Sequence, residues 1–255
     1  MSSELRHARM FFRAALLAAA GLAAFGLPAV SLGADGATTY GPVDGVMRIG
    51  IIGAGKQGGT LASLWADAGY QVMISSRNPK ELQSLAQSIG HGVRVGEPQS
   101  AAEFGDVVVI AVPYAAEPKL GQELAPQLAG KVVIDLGNPY PERDGPMAVQ
   151  ARREGTGVAS AKFFPGARLV RAFNAISYVS LRKYAHRAGD PIAIPIAANG
   201  KHAIAVTERL VRAAGFAPVV VGPLSSAKRF DVGTAVYVKD LTVSQTRTQL
   251  GLPAH

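Results

Sequence analysis

Residues 47–77, MRIGIIGAGKQGGTLASLWADAGYQVMISSR, place an apolar run, a glycine cluster, a helical apolar pattern and a second apolar run in direct succession. Residues 47–52 are mostly apolar and predict a strand, and residues 60–68 carry apolar side chains at helical spacing. Between them, Gly53, Gly55 and Gly58 have the spacing G-x-G-x-x-G. Such glycines allow a tight turn, a close approach of the backbone to a pyrophosphate, and close packing of the helix on the strand. The stretch therefore predicts a βαβ unit that binds a dinucleotide, rather than a plain strand–helix turn.

The end of the second apolar run indicates which dinucleotide is bound. Sites that prefer NAD place a carboxylate about 20 residues after the glycines, where it accepts hydrogen bonds from the ribose 2′-hydroxyl. Residues 72–80 read VMISSRNPK, and no carboxylate precedes Glu81. The polar groups that could instead contact a 2′-phosphate belong to Ser75, Ser76, Arg77 and Lys80. We therefore predict NADP(H) as the cofactor, with Lys56 and Gln57 of the glycine turn as further contacts; in the alternative interpretation, Arg77 and Lys80 are solvated charges.

The remaining sequence alternates between apolar runs and amphipathic segments. Continuous apolar runs predict strands that are buried on both faces of a parallel sheet, at residues 106–112, 131–136 and 168–173. Other segments predict a loop with a short helix at 143–157, an edge or bulged strand at 192–198, and a closing helix at 225–240. Together these patterns predict an α/β fold with a doubly wound (Rossmann), mostly parallel sheet. We expect a single domain at residues 47–240 and a tail at 241–255.

Candidate ligand contacts follow three of the predicted strands. Ligands of open α/β sheets bind beyond the carboxyl ends of the strands. Those ends carry Val112 and Pro113, then Asn138, then Phe173 and Asn174. Such side chains can form walls for flat rings and orient them. For Pro113, a turn that only ends the strand is an equally good interpretation.

Residues for acid–base, nucleophilic or metal chemistry do not cluster in the sequence. The chain has no cysteine, and its five histidines are scattered without metal-ligand spacing. We therefore predict no catalytic side chain and no metal site. Hydride transfer between two flat rings fits this pattern, because it needs stacking and dry positioning more than a proton-transferring group.

The N-terminal segment predicts export or membrane attachment. Arginines at positions 6, 9 and 13 precede the apolar residues 14–30, and small residues follow. Residues 1–34 therefore predict a signal peptide or an anchor, and residues 35–46 a linker; the domain would be exported to the periplasm or anchored, or cytoplasmic if the segment is not a working signal. A cytosolic cofactor conflicts with export, and the sequence leaves the conflict open. The net charge of +8 comes without any Lys/Arg block, so we predict no nucleic-acid binding.

Four stretches of the chain resemble a known family. They are IGIIGAGKQGGTLASLWADAGYQVMISSRNPKE, KVVIDLGNPY, FFPGARLVRAFNAIS and IPIAANGKHAIAVTERLVRAAGFAPVVVGPLSSA, which lie in the family's order within residues 47–230. In these stretches the sequence resembles the NADPH-dependent reductases of the deazaflavin coenzyme F420, and equally the NADPH domain of the STEAP metalloreductases. The SSRNPK and AFNAIS segments are the specific ones.

The resemblance implies NADPH binding and hydride transfer to a deazaflavin or flavin ring. It places Ser76, Arg77 and Lys80 at the 2′-phosphate, and the acceptor ring near Pro113, Asn138 and residues 172–174. It also implies a homodimer. The acceptor stays open, because the two branches reduce different partners, and the haem domain of the metalloreductases has no counterpart in this sequence. Two alternatives also remain: a non-catalytic NADP(H) sensor, and an exported binding protein with a relict Rossmann fold.

Overall fold

The computed structural model describes residues 46–254. The signal or anchor predicted for residues 1–34, with its possible membrane segment at 14–30, and the linker predicted for 35–46, except its last residue, lie outside the described residues. Within residues 46–254, no helix is both long and apolar enough to cross a bilayer.

Eight strands form one mixed sheet in the order β3-β2-β1-β4-β5-β6-β7-β8. The strands are β1 (Arg48–Ile52), β2 (Gln71–Ser75), β3 (Arg94–Gly96), β4 (Val107–Ile110), β5 (Val132–Asp135), β6 (Arg168–Arg171), β7 (Ala193–Ala198) and β8 (Ala217–Gly222). Strands β1 to β6 are parallel, and β7 runs antiparallel to β6 and parallel to β8. The order reverses between β1 and β4, which is the switch point where doubly wound sheets bind ligands. The predicted Rossmann-like, mostly parallel α/β domain is confirmed.

Helices cover both faces of the sheet. They are α1 (Lys56–Asp67), α2 (Gln83–Ile89), α3 (Pro98–Phe104), α4 (Glu117–Glu123), α5 (Ala125–Leu128), α6 (Pro141–Asp144), α7 (Pro146–Glu154), α8 (Thr156–Ala161), α9 (Tyr178–Tyr184), α10 (Lys201–Ala213) and α11 (Val243–Gln249). Short 3₁₀ helices occupy Pro79–Leu82, Tyr114–Ala116 and Leu224–Arg229. Alternate residues of β4 enter different cores: Val107 and Val109 pack with α1 and α10, whereas Val108 and Ile110 pack with the side of α3 and α5. Burial on both faces explains why the β4 sequence is apolar without interruption.

Two segments differ from the sequence prediction. Residues 143–157, expected as a loop with a short helix, belong mostly to α6, α7 and α8. Gly145 (φ +70°) and Gly155 (φ +92°) separate these helices. Helix α7 buries only the small residues Ala148 and Ala151, so its sequence is mostly polar and lacks the apolar pattern that predicts a helix. The closing helix expected at 225–240 is also wrong, because that segment is a 3₁₀ helix followed by turns, with Gly233 at φ +89°.

The C-terminal residues continue the domain beyond residue 240. Helix α11 lies inside the segment expected as a tail, and Thr242 and Gln245 form a capping box at its start. The backbone N–H of Ala193 donates to Leu241 O at 2.8 Å. Strand β7, expected at an edge or with a bulge, lies inside the sheet and has a register shift between Ile196 and Ala197. The bulge is therefore the correct alternative.

Candidate functional site

The glycine turn between β1 and α1 has the geometry of a phosphate-binding segment. Gly53 has φ +96°, and a Cβ at Gly58 would lie 2.0 Å from Gly53 O, so the turn and the close helix–strand contact both require glycine. A Cβ at Gly55 would have no atom within 4 Å. Protein packing therefore does not explain Gly55, whereas a pyrophosphate lying against the backbone does. Gly55 is also the N-cap of α1 and supplies no side-chain cap, which leaves the first N–H groups of the helix available to an anion.

The first turn of α1 joins the glycine turn to the chain after β6. The Gln57 Nε2 atom donates to Phe173 O at 2.6 Å and to Ile176 O at 3.3 Å. The Lys56 ammonium is exposed and lies 4.9 Å from the centre of the Tyr178 ring. Both predicted residues therefore lie at the site, but Gln57 holds the protein's own backbone there.

The predicted 2′-phosphate contacts divide into accessible and buried residues. Ser75 is fully buried, and its hydroxyl donates to Ile51 O at 3.0 Å. The Ser75 side chain is therefore bonded within the sheet and cannot contact the cofactor, so the predicted contact of Ser75 with the 2′-phosphate is wrong. Ser76 is half-buried and accepts from the Asn78 N–H at 3.1 Å. Arg77 and Lys80 are exposed, and within residues 46–254 their side chains form no ion pair.

The end of β2 and the glycine turn are held together by their backbones. The N–H of Gly53 donates to Ser75 O at 3.1 Å. Ser76 and Arg77 therefore begin directly beside the turn, at the carboxyl end of β2, where the ribose of a dinucleotide lies in this fold.

A cavity of about 420 Å³ lies at the carboxyl ends of β4, β5 and β6, next to the first turn of α1. Four of the predicted strand-end residues line it: Val112, Pro113, Asn138 and Asn174. A larger groove of about 610 Å³ follows the outer side of α1 towards α2. That groove reaches Gly55 and Lys56 but none of the strand ends, so the smaller cavity is the candidate for the reacting rings.

Phe173 occupies a different position from the one expected. Its ring is 1% exposed and packs edge-on against Trp65, with the ring centres 5.8 Å apart. The residue has φ +59°, a left-handed conformation that costs energy in a non-glycine residue. Its ring cannot stack on a ligand in the cavity. Phe173 contributes only its carbonyl, which Gln57 holds.

Three tyrosines and an arginine line the cavity but were not predicted from the sequence. The hydroxyls of Tyr140 and Tyr237 are hydrogen-bonded to each other, and burial raises the pKa of Tyr237. The Arg143 guanidinium lies 5.0 Å from the centre of the Tyr140 ring, and Nη2 donates to Asn138 O at 2.8 Å. Tyr178 lies on the side of Lys56. Tyr140 lies within the strand-end segment 136–140, although the sequence analysis did not select it as a contact. Tyr237 lies about a hundred residues later and could not have been inferred.

A buried charge cluster lies below the cavity. Arg171 is fully buried and forms a 2.7 Å ion pair with Asp135, while Asp231 lies 3.9 Å away. Glu117 is also fully buried, and its Oε1 would lie 1.7 Å from a Cβ at Gly137. Burial and the neighbouring Asp135 raise the pKa of Glu117 well above its usual value. The raised pKa favours the neutral form of Glu117, which lessens the excess of negative charge around Arg171.

Comparison with known proteins shows which families this sequence is similar to. Residues 48–139 match the family described as NADP oxidoreductase, coenzyme F420-dependent. The metalloreductase STEAP3 of Rattus norvegicus is 30% identical over 185 residues, which are 72% of this chain and 36% of that protein. The F420-dependent NADP reductase of Methanothermobacter thermautotrophicus is 33% identical over 149 residues, 53% of this chain and 64% of that protein.

A solved structure shows the same fold over most of the domain. A hypothetical protein from Sinorhizobium meliloti superposes with a TM-score of 0.65 at 25% identity, covering 77% of this chain and 95% of that one. The resemblance to the F420-dependent reductases and to the STEAP metalloreductases is thus confirmed. The chain spans about a third of the length of the metalloreductases that it matches, and less than two thirds of the F420-dependent reductase.

Proposed function

From this resemblance and the site geometry, we propose that the protein is an NADPH-dependent oxidoreductase. It transfers hydride between NADP(H) and a flat acceptor ring, either deazaflavin coenzyme F420 or a flavin. The observation that carries the proposal is the cavity beside the glycine turn. Among its described lining residues, only Arg143 and three tyrosines are ionisable, so the cavity offers walls for rings but no carboxylate, imidazole or amine to move a proton.

The nucleotide half of the site favours NADP(H) over NAD(H). Gly55 leaves the backbone open to the pyrophosphate, and the N-terminus of α1 offers N–H groups and a positive dipole end. Ser76, Arg77 and Lys80 would contact the 2′-phosphate. An accessible guanidinium without a carboxylate partner nearby is suited to this role, because it can bind phosphate bidentately. Bound NADPH would supply the hydride from its nicotinamide ring.

The cavity would bring the two rings together and keep water away. Val112, Pro113 and Ile176 supply apolar walls, while the backbone around Gly137 supplies the floor. Gln57 fixes the backbone after β6 against α1, so the wall does not depend on the ligand for its position. Positioning of this kind accounts for a large part of the rate of a reaction between two bound partners.

The acceptor is the part of the proposal that an experiment must decide. The purified full-length chain is mixed with NADPH and, in turn, with F420, FMN, FAD, riboflavin and a ferric chelate, and NADPH absorbance is followed in the near ultraviolet. We expect oxidation with F420 or with a flavin, at a rate that saturates with acceptor concentration. Oxidation with the ferric chelate alone would instead assign direct metal reduction.

The same experiment can reject the proposed reaction. If NADPH binds saturably but none of the acceptors is reduced, the protein is a nucleotide sensor. If no nucleotide binds, the fold serves as a binding module without its cofactor. Gly55→Ala provides the matched control in each assay, because its new methyl group contacts nothing in the protein but blocks the proposed pyrophosphate position.

A further inference from the structure

Three side-chain amides around the cavity all use their nitrogen atoms on the protein's own backbone. Gln57 donates to Phe173 O and Ile176 O at 2.6 and 3.3 Å. Asn138 donates to Asn174 O at 2.8 Å, and Asn174 donates to Phe230 O at 3.5 Å. Since a backbone carbonyl can only accept, these contacts fix which end of each amide is the nitrogen.

The oxygen atoms of these amides remain without donors. Within residues 46–254, the Oδ1 atoms of Asn138 and Asn174 are buried and have no hydrogen-bond partner, and Asn174 is only 2% exposed. The Gln57 oxygen also accepts no hydrogen bond in the described part of the chain, but it is not among the buried atoms without a partner. All three residues line the same cavity. Buried carbonyl groups are normally paired, so the two buried, unpaired oxygens of Asn138 and Asn174 indicate that donors arrive with a ligand.

We propose that the amide oxygens of Asn138 and Asn174 recognise N–H donors on the edge of a flat ring bound in the cavity. This inference rests on the proposed hydride transfer, and it specifies how the reacting rings are selected. Two ring types carry such an edge: the carboxamide of the nicotinamide, and the cyclic imide of a flavin or deazaflavin. A ring that has only carbonyl groups, such as a quinone, would leave the protein's oxygens unpaired and face them with further acceptors.

Binding measurements with analogues that lack a donor separate the two ring types. In the first arm, NADPH is compared with its 3-acetylpyridine analogue, in which a methyl ketone replaces the carboxamide. In the second arm, FMN is compared with N3-methyl-FMN, which lacks the imide N–H. Dissociation constants are measured by calorimetry on the full-length chain, so that the result does not depend on turnover.

We expect about tenfold or greater weakening in at least one arm, because a site built for a hydrogen-bond donor rejects a ligand without one. Weakening in the first arm assigns the oxygens to the nicotinamide, and weakening in the second assigns them to the acceptor. Equal binding of both analogues and their parents overturns the proposal. Failure of the hydride-transfer proposal looks different, since NADPH would then bind but no flavin would be reduced.

A side-chain variant tests whether an analogue binds weakly because it lacks a hydrogen-bond donor or because its extra methyl group is too large for the cavity. Asn174→Ala removes one oxygen and also makes space. If the oxygen is used, the parent ligand binds about tenfold more weakly to this variant, whereas the analogue is little affected. If the methyl group is merely crowded, the parent keeps its affinity and only the analogue improves, which contradicts the inference.

The matched control is Ile176→Val, another cavity residue whose side chain has no polar atom. It should leave the ratio of parent to analogue affinity unchanged. Circular dichroism and thermal unfolding establish that each variant is folded before its binding is compared. If Asn174→Ala does not fold, the two analogue arms with the unmodified chain still decide the question.

Discussion

Arg77 is the residue at which NADPH and NADH binding should separate. Its guanidinium is exposed beside the end of β2 and has no ion-pair partner among residues 46–254. We expect Arg77→Ala to weaken NADPH by about 1.5–3 kcal/mol, the range for a hydrogen bond to a charged group, and to leave NADH almost unchanged. Fluorescence titration of both nucleotides measures the difference.

The control for this variant is Arg153→Ala, which removes an exposed arginine from α7, away from the nucleotide turn. Arg153→Ala should change the affinities for NADPH and NADH only by the small amount expected from removing one positive charge from the protein. Equal weakening of NADPH and NADH by Arg77→Ala would contradict the 2′-phosphate assignment. The ionic strength must be held constant, because salt screens contacts between exposed charges.

Single residues show where sequence reasoning stops. The apolar pattern of residues 71–75 is enough to predict that Ser76, Arg77 and Lys80 follow a strand, because that pattern lies next to them in the sequence. The direction of a side chain does not: Ser75 faces the sheet and Phe173 faces Trp65, because neighbouring elements offer an acceptor and an aromatic edge there. Those neighbours come from positions distant in the sequence.

The glycine turn is the element in which fold and cofactor can be separated by mutation. Gly55 has φ −71° and open space around it, so alanine fits there without strain. Because alanine restricts the unfolded chain but is a poorer N-cap than glycine, we expect Gly55→Ala to change the stability by less than about 1 kcal/mol. NADPH affinity should nevertheless fall by about tenfold, or 1.4 kcal/mol, because the methyl group would occupy the proposed pyrophosphate position. Thermal unfolding and calorimetric titration test the two statements.

Gly58→Ala is the matched variant within the same turn, and it should behave differently. Its Cβ would lie 2.0 Å from Gly53 O, so α1 must move from the turn, which we expect to cost about 1–3 kcal/mol of stability. Stability and affinity should both fall. If Gly55→Ala loses stability as Gly58→Ala does, Gly55 serves packing and the cofactor argument from that residue fails.

Elements were predictable where the pattern repeats locally. Strand β1, helix α1 and strand β2 follow from the apolar runs and the glycines of residues 47–77. Helices α6 and α7 were expected only as one short helix within a loop, because they are short, polar and bounded by glycines in left-handed conformations. Helix α11 was not predicted, although the capping box of Thr242 and Gln245 is a sequence signal, because the helix is short and has no apolar face of its own that marks its packing on β7 and β8.

The buried charge cluster connects distant parts of the whole molecule. Arg171 of β6 pairs with Asp135 of β5, and Asp231, which belongs to the C-terminal segment, accepts from the Thr156 N–H at 2.9 Å. The same C-terminal segment carries Tyr237 into the cavity. The cluster thereby fixes the cavity floor relative to its outer wall. No sequence pattern indicates it, because its members are spread over residues 117–231 and meet only through the strand order.

This cluster makes the stability of the molecule depend on pH through Glu117. The folded state raises the pKa of Glu117 above the value of 4.5 that applies to an unperturbed glutamate. Between these two pKa values, the unfolded chain binds fewer protons than the folded protein. The free energy of unfolding therefore falls as pH rises, by about 1.4 kcal/mol per pH unit for this one group. Below the unfolded pKa both states are protonated, and the contribution is fully present.

Glu117→Gln should remove this dependence, because glutamine keeps the shape and the neutral donor but cannot ionise in the unfolded chain. We expect the variant to gain stability relative to the wild type as pH rises above about 5. The difference in the free energy of unfolding should grow by about 1.4 kcal/mol per pH unit, the value for one proton. Urea unfolding of both proteins between about pH 5 and pH 8 measures the difference, in which the titration of all other groups largely cancels. Glu142→Gln, an exposed substitution near the cavity, controls for the amide itself. A pH-independent difference would show that Glu117 is ionised in the folded protein. The Arg171 guanidinium would then face a third negative charge beside the side chains of Asp135 and Asp231.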